Sequence, residues 1–122
     1  METYGKRTWL IPDAFYPSVS TNFKSHESVC VINTSGSTAK IKLTLLFEDR
    51  DLMDCFESTC GAGKTHHIRM DRIIGKNGET VPQDVPYAIL VESSVEIVTQ
   101  YSRLDTTQPA YSFLSTMAYP VD

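Results

Sequence analysis

The sequence predicts an all-β, single-domain protein built as a mostly antiparallel β-sandwich. Three observations carry that prediction. Apolar and polar residues alternate with a period of two over Ala39–Glu48, and β-branched residues crowd Val95–Asp105 with no Gly or Pro among them. Turn-forming residues interrupt the chain every few positions, and helical periodicity is almost absent. About seven short strands with frequent turns fit a sandwich or barrel.

Size and composition agree with this class. A chain of 122 residues fits one domain and can bury a core without disulfides. Hydrophobic residues make up 41% and charged residues 21%, which excludes a disordered or membrane-like composition. The longest apolar run, Tyr87–Val91, is far short of a bilayer span. The start Met1-Glu2-Thr3-Tyr4 carries neither the basic region nor the apolar segment of a secretory signal, so a cytoplasmic location is expected. Cys30, Cys55 and Cys60 are odd in number and form no Cys-x-x-Cys pair, so they read as free thiols, with Cys30 expected in the core. A formal charge of −4 opposes a broad nucleic-acid footprint and leaves only local patches, such as Lys40, Lys42, Arg69 and Arg72.

Residues 1–24 read as irregular, with a short edge strand at Trp9-Leu10-Ile11 that Pro12 stops. Ser25–Thr34 is the first convincing strand. Its apolar half, Val29–Ile32, is filled on both faces, which places it inside a sheet rather than at an edge. A turn at Asn33–Ser37 leads to Ala39–Glu48, where Ile41, Leu43, Leu45 and Phe47 share one face, each contributing roughly 1.5–3 kcal/mol on burial. After a charged turn at Asp49–Asp54, Cys55–Thr59 reads as a short strand at best. The glycines of Cys60–Thr65 then read as a hairpin turn into the strand Lys64–Met70. Asp71–Val85 is a long loop with a tight turn at Asn77-Gly78, Tyr87–Ser93 a strand, and Ser93-Ser94 a turn into Val95–Asp105. A final strand is expected over Ala110–Tyr119, with Tyr111, Phe113, Met117 and Tyr119 on one face.

The chemistry-bearing motifs are few. Cys60-Gly61-Ala62-Gly63-Lys64-Thr65 is similar to part of a phosphate-binding loop, but Ser58 stands where the motif needs a glycine and a strand follows where it needs a helix. His66 and His67 are adjacent on a strand and point to opposite faces, so they cannot jointly hold one metal, and no ligand spacing marks a metal site. Catalysis has nominal participants in His26, Glu27, His67 and Asp105, with Cys55 or Cys60 as nucleophile. No nucleophile elbow or metal motif organises them, so no catalytic residue, metal or cofactor is assigned. Alternation places Val95, Ile97, Thr99, Tyr101, Arg103 and Asp105 on one side of a strand that begins apolar and ends in a cation and a carboxylate. That end is either an Arg–Asp ion pair at a sheet rim or the furniture of a site.

Ser25-His26-Glu27, Cys30, Lys64-x-x-His67-x-Arg69, Gln100-x-x-Arg103-Leu104-Asp105 and Leu114-Ser115-Thr116-x-Ala118-Tyr119 together resemble the Anabaena sensory rhodopsin transducer family. The likeness runs from about Trp9 to Tyr119, with the blocks in the same order and at similar spacing. It implies a β-sandwich assembling as a cyclic tetramer in the cytoplasm. It also implies a non-enzymatic binding or signalling module, either for a small polar, sugar-like ligand or for a membrane receptor, with DNA contact a weaker alternative. Carried over position by position, Trp9, His26, Glu27, His67, Arg69, Arg103 and Asp105 fall on the family's polar and aromatic motif positions. The resemblance makes them the candidate ligand-binding set. The chain departs from the transducer pattern at Tyr101, where a His is usual. It also departs in a longer Ile73–Val81 loop and in Ser18–Asn22, which replaces an acidic, proline-rich early loop.

Overall fold

A computed structural model describes residues 1–122 as eight strands and no helix. These are β1 (Lys6–Phe15), β2 (His26–Asn33), β3 (Ala39–Phe47), β4 (Met53–Cys60), β5 (Lys64–Arg69), β6 (Pro86–Asp105), β7 (Ser112–Met117) and β8 (Tyr119–Val121). All pairings are antiparallel. One sheet runs β4-β3-β6-β1-β8 and the other β5-β2-β6-β7, with β6 common to both. The first half of β6 pairs with β1 and β3 up to Ser93, with one further pair between Lys6 and Ile97, and the second half pairs with β2 and β7 from Val98 onward.

The two layers close over one cluster of 21 buried residues. Its centre is Val29 and Val31 from β2, Leu43 and Leu45 from β3, Phe56 from β4, and Val91, Ile97 and Tyr101 from β6. The alternation expected for β3 is realised, with Ile41, Leu43 and Leu45 at most 2% exposed and Lys40 and Lys42 in solvent. The expected interior position of β2 is also found, between β5 and β6. Its second face is only half covered, however: Cys30 is partly exposed and Ile32 is 46% exposed, so Cys30 is not a core residue.

Several local expectations are corrected. Ser93-Ser94 is not a turn, because β6 runs unbroken through it. The serines instead serve the backbone at the passage between sheets: Lys40 N–H donates to Ser94 Oγ at 2.9 Å and Val95 N–H to Ser93 Oγ at 3.3 Å. Pro12 does not stop β1. It lies in a register shift between Ile11 and Ala14, where a missing N–H costs the ladder nothing, and β1 is an interior strand where Thr8–Leu10 also pair with β8. The β4 strand is longer than expected. The glycine turn after it is no hairpin, since β4 and β5 belong to different sheets and Gly63, at φ +67°, only carries the chain across. The last strand is two, broken at buried Ala118, and every residue of β7 is exposed. The N-terminus is anchored at the same passage of β6, where Gly5 (φ +109°) packs so closely that a Cβ would lie 1.9 Å from Ile97 O.

Leu43 is fully buried and faces Val91 and Phe56 across two ladders. Leu43→Ala should cost about 2–5 kcal/mol, whereas Lys42→Ala on the wet face should stay within about 0.5 kcal/mol. Urea unfolding of the two variants checks this, and equal midpoints would contradict the assigned faces.

Candidate functional site

Glu27 is the centre of the polar arrangement inside the fold. Alternation along β2 turns it inward with Val29 and Val31, and it is 0% exposed. A buried carboxylate needs donors, and three groups on two strands supply them. The Tyr87 and Tyr101 hydroxyls, both from β6, donate to its two oxygens, and Phe15 N–H from the end of β1 donates to Oε2 at 2.8 Å. Arg103 completes the cluster. Its Nε donates to Tyr101 Oη at 3.0 Å, and its guanidinium carbon sits 5.6 Å from the Tyr101 ring centroid.

The electrostatics follow from burial. Desolvation raises the Glu27 carboxyl above the ordinary carboxylate range, against the lowering pull of Tyr101, Tyr87, Phe15 N–H and Arg103. The same burial, with Glu27 alongside, pushes both tyrosine hydroxyls upward, so they stay protonated and remain donors.

A groove of about 170 Å³ opens beside this cluster, its walls including Pro12 and Asp13 of β1, Tyr101 and Arg103 of β6, and Leu114 and Thr116 of β7. The Arg103 side chain is only 17% exposed, and its ion-pair partner, Asp13 at 3.6 Å, is 88% exposed. A larger depression of about 500 Å³ lies away from this chemistry, over Lys40, Lys42, Glu57 and Thr59 on β3 and β4, and contains no buried polar group.

The structure therefore divides the seven candidate residues. Glu27 and Arg103 come together on the inner side of the second sheet. His67 and Arg69 lie on its outer side, where Arg69 forks onto Asp71 at 2.7 and 2.8 Å. Burial alone would raise the Asp71 carboxyl, but Arg69 and Lys24 more than offset it and hold it below the usual range. His26 is half-buried, its Nδ1 3.0 Å from Lys24 O. Asp105 does not pair with Arg103; it accepts from Thr107 N–H at 2.8 Å, so the rim ion pair is not formed. Trp9 is 5% exposed and packs in the core, its indole N–H shared between Lys6 O and Ile97 O at 2.9 and 3.0 Å. No group of three or more His, Cys, Asp or Glu residues is placed to hold a metal ion.

Sequence reasoning missed Tyr87, Asp13 and Asp71. Tyr87 was within reach, since it shares the inward face of Ile89 and Val91. Asp13 lies beyond the expected strand end at Pro12 and carries no such signal. Asp71 falls in the expected loop, where its two-residue spacing from Arg69 announces no pairing.

An antiparallel double layer, with a tyrosine-held carboxylate and an arginine at one end, defines a small all-β module in which no helix is long and apolar enough to cross a membrane. The chain belongs to the Anabaena sensory rhodopsin transducer family, whose profile matches residues 4–120. Solved structures share the fold, two of them as follows. The Thermotoga maritima protein 1070 is 36% identical with a TM-score of 0.86, the match covering 96% of each chain. The Anabaena sensory rhodopsin transducer is 24% identical with a TM-score of 0.74, over 83% of this chain and 97% of that one. None of the curated proteins matches.

Because the folded state raises the Glu27 pKa, the native protein binds more protons than the unfolded chain once pH exceeds the ordinary carboxylate value. The Glu27 contribution is then fully present at acid pH and declines as pH rises through the folded pKa. The stability difference between wild type and Glu27→Gln should shrink as pH increases from about 4 to 7. A difference that grows over this range would show that the donors and Arg103 hold Glu27 ionised instead.

Proposed function

We propose that this chain is a non-enzymatic cytoplasmic signalling module of the transducer kind. In this reading it recognises a small polar, sugar-like ligand in the groove beside Arg103. The carrying observation is the state of that arginine. It is largely buried and oriented by Tyr101, yet it has no carboxylate within hydrogen-bonding distance. A planar donor fork beside the apolar wall of Pro12 and Leu114 suits a hydroxylated or anionic ring, which offers oxygens at its rim and carbon at its face. Asp13 and Thr116 supply the acceptor and hydroxyl that such a ligand also needs.

The thiols support the absence of catalysis. Burial raises Cys55 and Cys60 above the ordinary thiol range, the opposite of an activated nucleophile.

The surface of β7 favours a second, compatible role in contact with other chains. Phe113, Leu114 and Met117 are 69%, 45% and 59% exposed on an edge strand without a charge, and Tyr119 beyond it is 67% exposed. Such a patch suits assembly, for which the family resemblance implies a homotetramer, or docking on a membrane receptor. DNA is the weakest partner for a chain of net charge −4.

Thermal unfolding against sugars, sugar acids and sugar phosphates tests the ligand reading. A ligand at about 100 times its dissociation constant adds roughly 2.7 kcal/mol, a shift on the order of 10 °C. The shift should vanish in a folded Arg103→Ala. No shift across the set, or one that survives Arg103→Ala, would overturn the assignment.

A further inference from the structure

We propose that the outer edge of β5 accepts an acidic peptide segment as an added antiparallel or parallel strand. This edge lies at the opposite side of its sheet from the Arg103 groove, so the proposal stands apart from the ligand reading.

The backbone geometry comes first. Met70 N–H donates to Glu27 O at 3.0 Å, and the register pairs Ile68 with Val29 and His66 with Val31. In an antiparallel ladder a residue sends both its N–H and its C=O to the same side, and neighbours alternate. His66, Ile68 and Met70 therefore face β2, while Thr65, His67 and Arg69 turn their backbone groups outward. The Arg69 carbonyl is already occupied by Arg72 and Ile73 N–H at 3.2 and 3.0 Å. Thr65 and His67 retain a donor and an acceptor each, and Arg69 retains its N–H, because β5 pairs with no strand but β2. A groove of about 310 Å³ follows this edge, lined by Ser58, His66, His67, Arg69, Arg72 and Ile73 among others.

The charge pattern then selects the occupant. Gly61–Met70 contains no carboxylate, whereas the cations Lys64 and Arg69 and the ring N–H groups of His66 and His67 lie within it, and Arg72 follows. The acid that follows, Asp71, is paired with Arg69 and Lys24, so the free cations of this edge are Lys64 and Arg72. Lys64 and Arg72 take part in none of the ion pairs of the fold. His66 is fixed through Nδ1, 2.7 Å from Thr59 O, which leaves Nε2 without a partner. Alternating donors and acceptors recognise another backbone, and the cations around them recognise carboxylates. Cations on an edge also deter a second copy of the same strand. The same pattern thus rejects self-pairing and admits an acidic partner.

Amide-resolved hydrogen exchange and NMR titration test this with two capped peptides, one alternating Glu and Val and the other Lys and Val. The acidic peptide should slow exchange at Thr65 and His67, and the basic one should not. Arg72→Glu, at an exposed loop position, should weaken the acidic peptide by about tenfold or more. His67→Pro removes an outward N–H that β2 does not use, so it should preserve the fold and lose binding. Equal affinity for both peptides, unchanged binding to Arg72→Glu, or no binding at all would overturn the proposal. So would sulfate reproducing the titration without slowing exchange, which would make the edge a simple anion site.

Discussion

A strand shared by two sheets must keep one face on the core while its hydrogen-bonding neighbours change, and β6 meets that constraint over 20 residues. Tyr87, Ile89 and Val91 face inward in its first half, and Ile97, Thr99 and Tyr101 in its second. The parity of the alternation therefore never slips across the passage. A one-residue slip would have sent half of these side chains to solvent. The passage itself, Ser94–Glu96, has no place in either main ladder, and it is here that the Ser93 and Ser94 hydroxyls supply acceptors and Gly5 lets the N-terminus approach. Every other strand is placed by its pairing with β6 or with a neighbour of β6.

The same parity brings Glu27 its partners. Tyr87 and Tyr101 are in different sheets yet on one inward face, so both hydroxyls meet a carboxylate delivered by β2, while β1 closes the third side through Phe15 N–H. Removing that carboxylate would strand several donors at once, which is the costly form of polar burial. The cluster thus couples the end of β1 to both halves of β6, and Arg103 inherits a fixed position from it. The ordering of the arginine is a consequence of the core's polar satisfaction rather than of any pairing with Asp13, which is too exposed to hold it.

Legibility in the sequence followed the strength of the local signal. The strand β3 is legible because one face is dry and the other largely wet, with Thr44 buried on the wet side, and β2 because both faces of Val29–Ile32 are apolar. The Ser93-Ser94 passage was misread because serines favour turns in isolation, and only the long-range pairing of both flanks keeps the strand straight. Pro12 misled for the same reason, since its tolerance depends on a register shift that no local pattern announces. Among the site residues, the inward run ending at Tyr101 and Arg103 was visible from alternation alone. The division of the remaining candidates between faces was not. It depends on which neighbour each strand acquires, as with Arg69, whose partner Asp71 lies just beyond the strand's end.

The four sheet edges are not alike, and the differences are chemical. The β4 edge is partly covered, because Lys76 N–H reaches Cys55 O at 3.1 Å and Lys76 Nζ sits 3.0 Å from Glu57. β8 is only three residues long, too short to template another strand, and Asp122 beside it pairs with Lys6. The two edges of the sheet that carries Glu27 and Arg103 remain open, one apolar and uncharged at β7, the other polar and cationic at β5. Because β7 also forms a wall of the Arg103 groove through Leu114 and Thr116, a chain docked on β7 would reshape that groove, whereas one docked on β5 would not touch it. The fold therefore sets the β7 edge beside the groove and the β5 edge away from it.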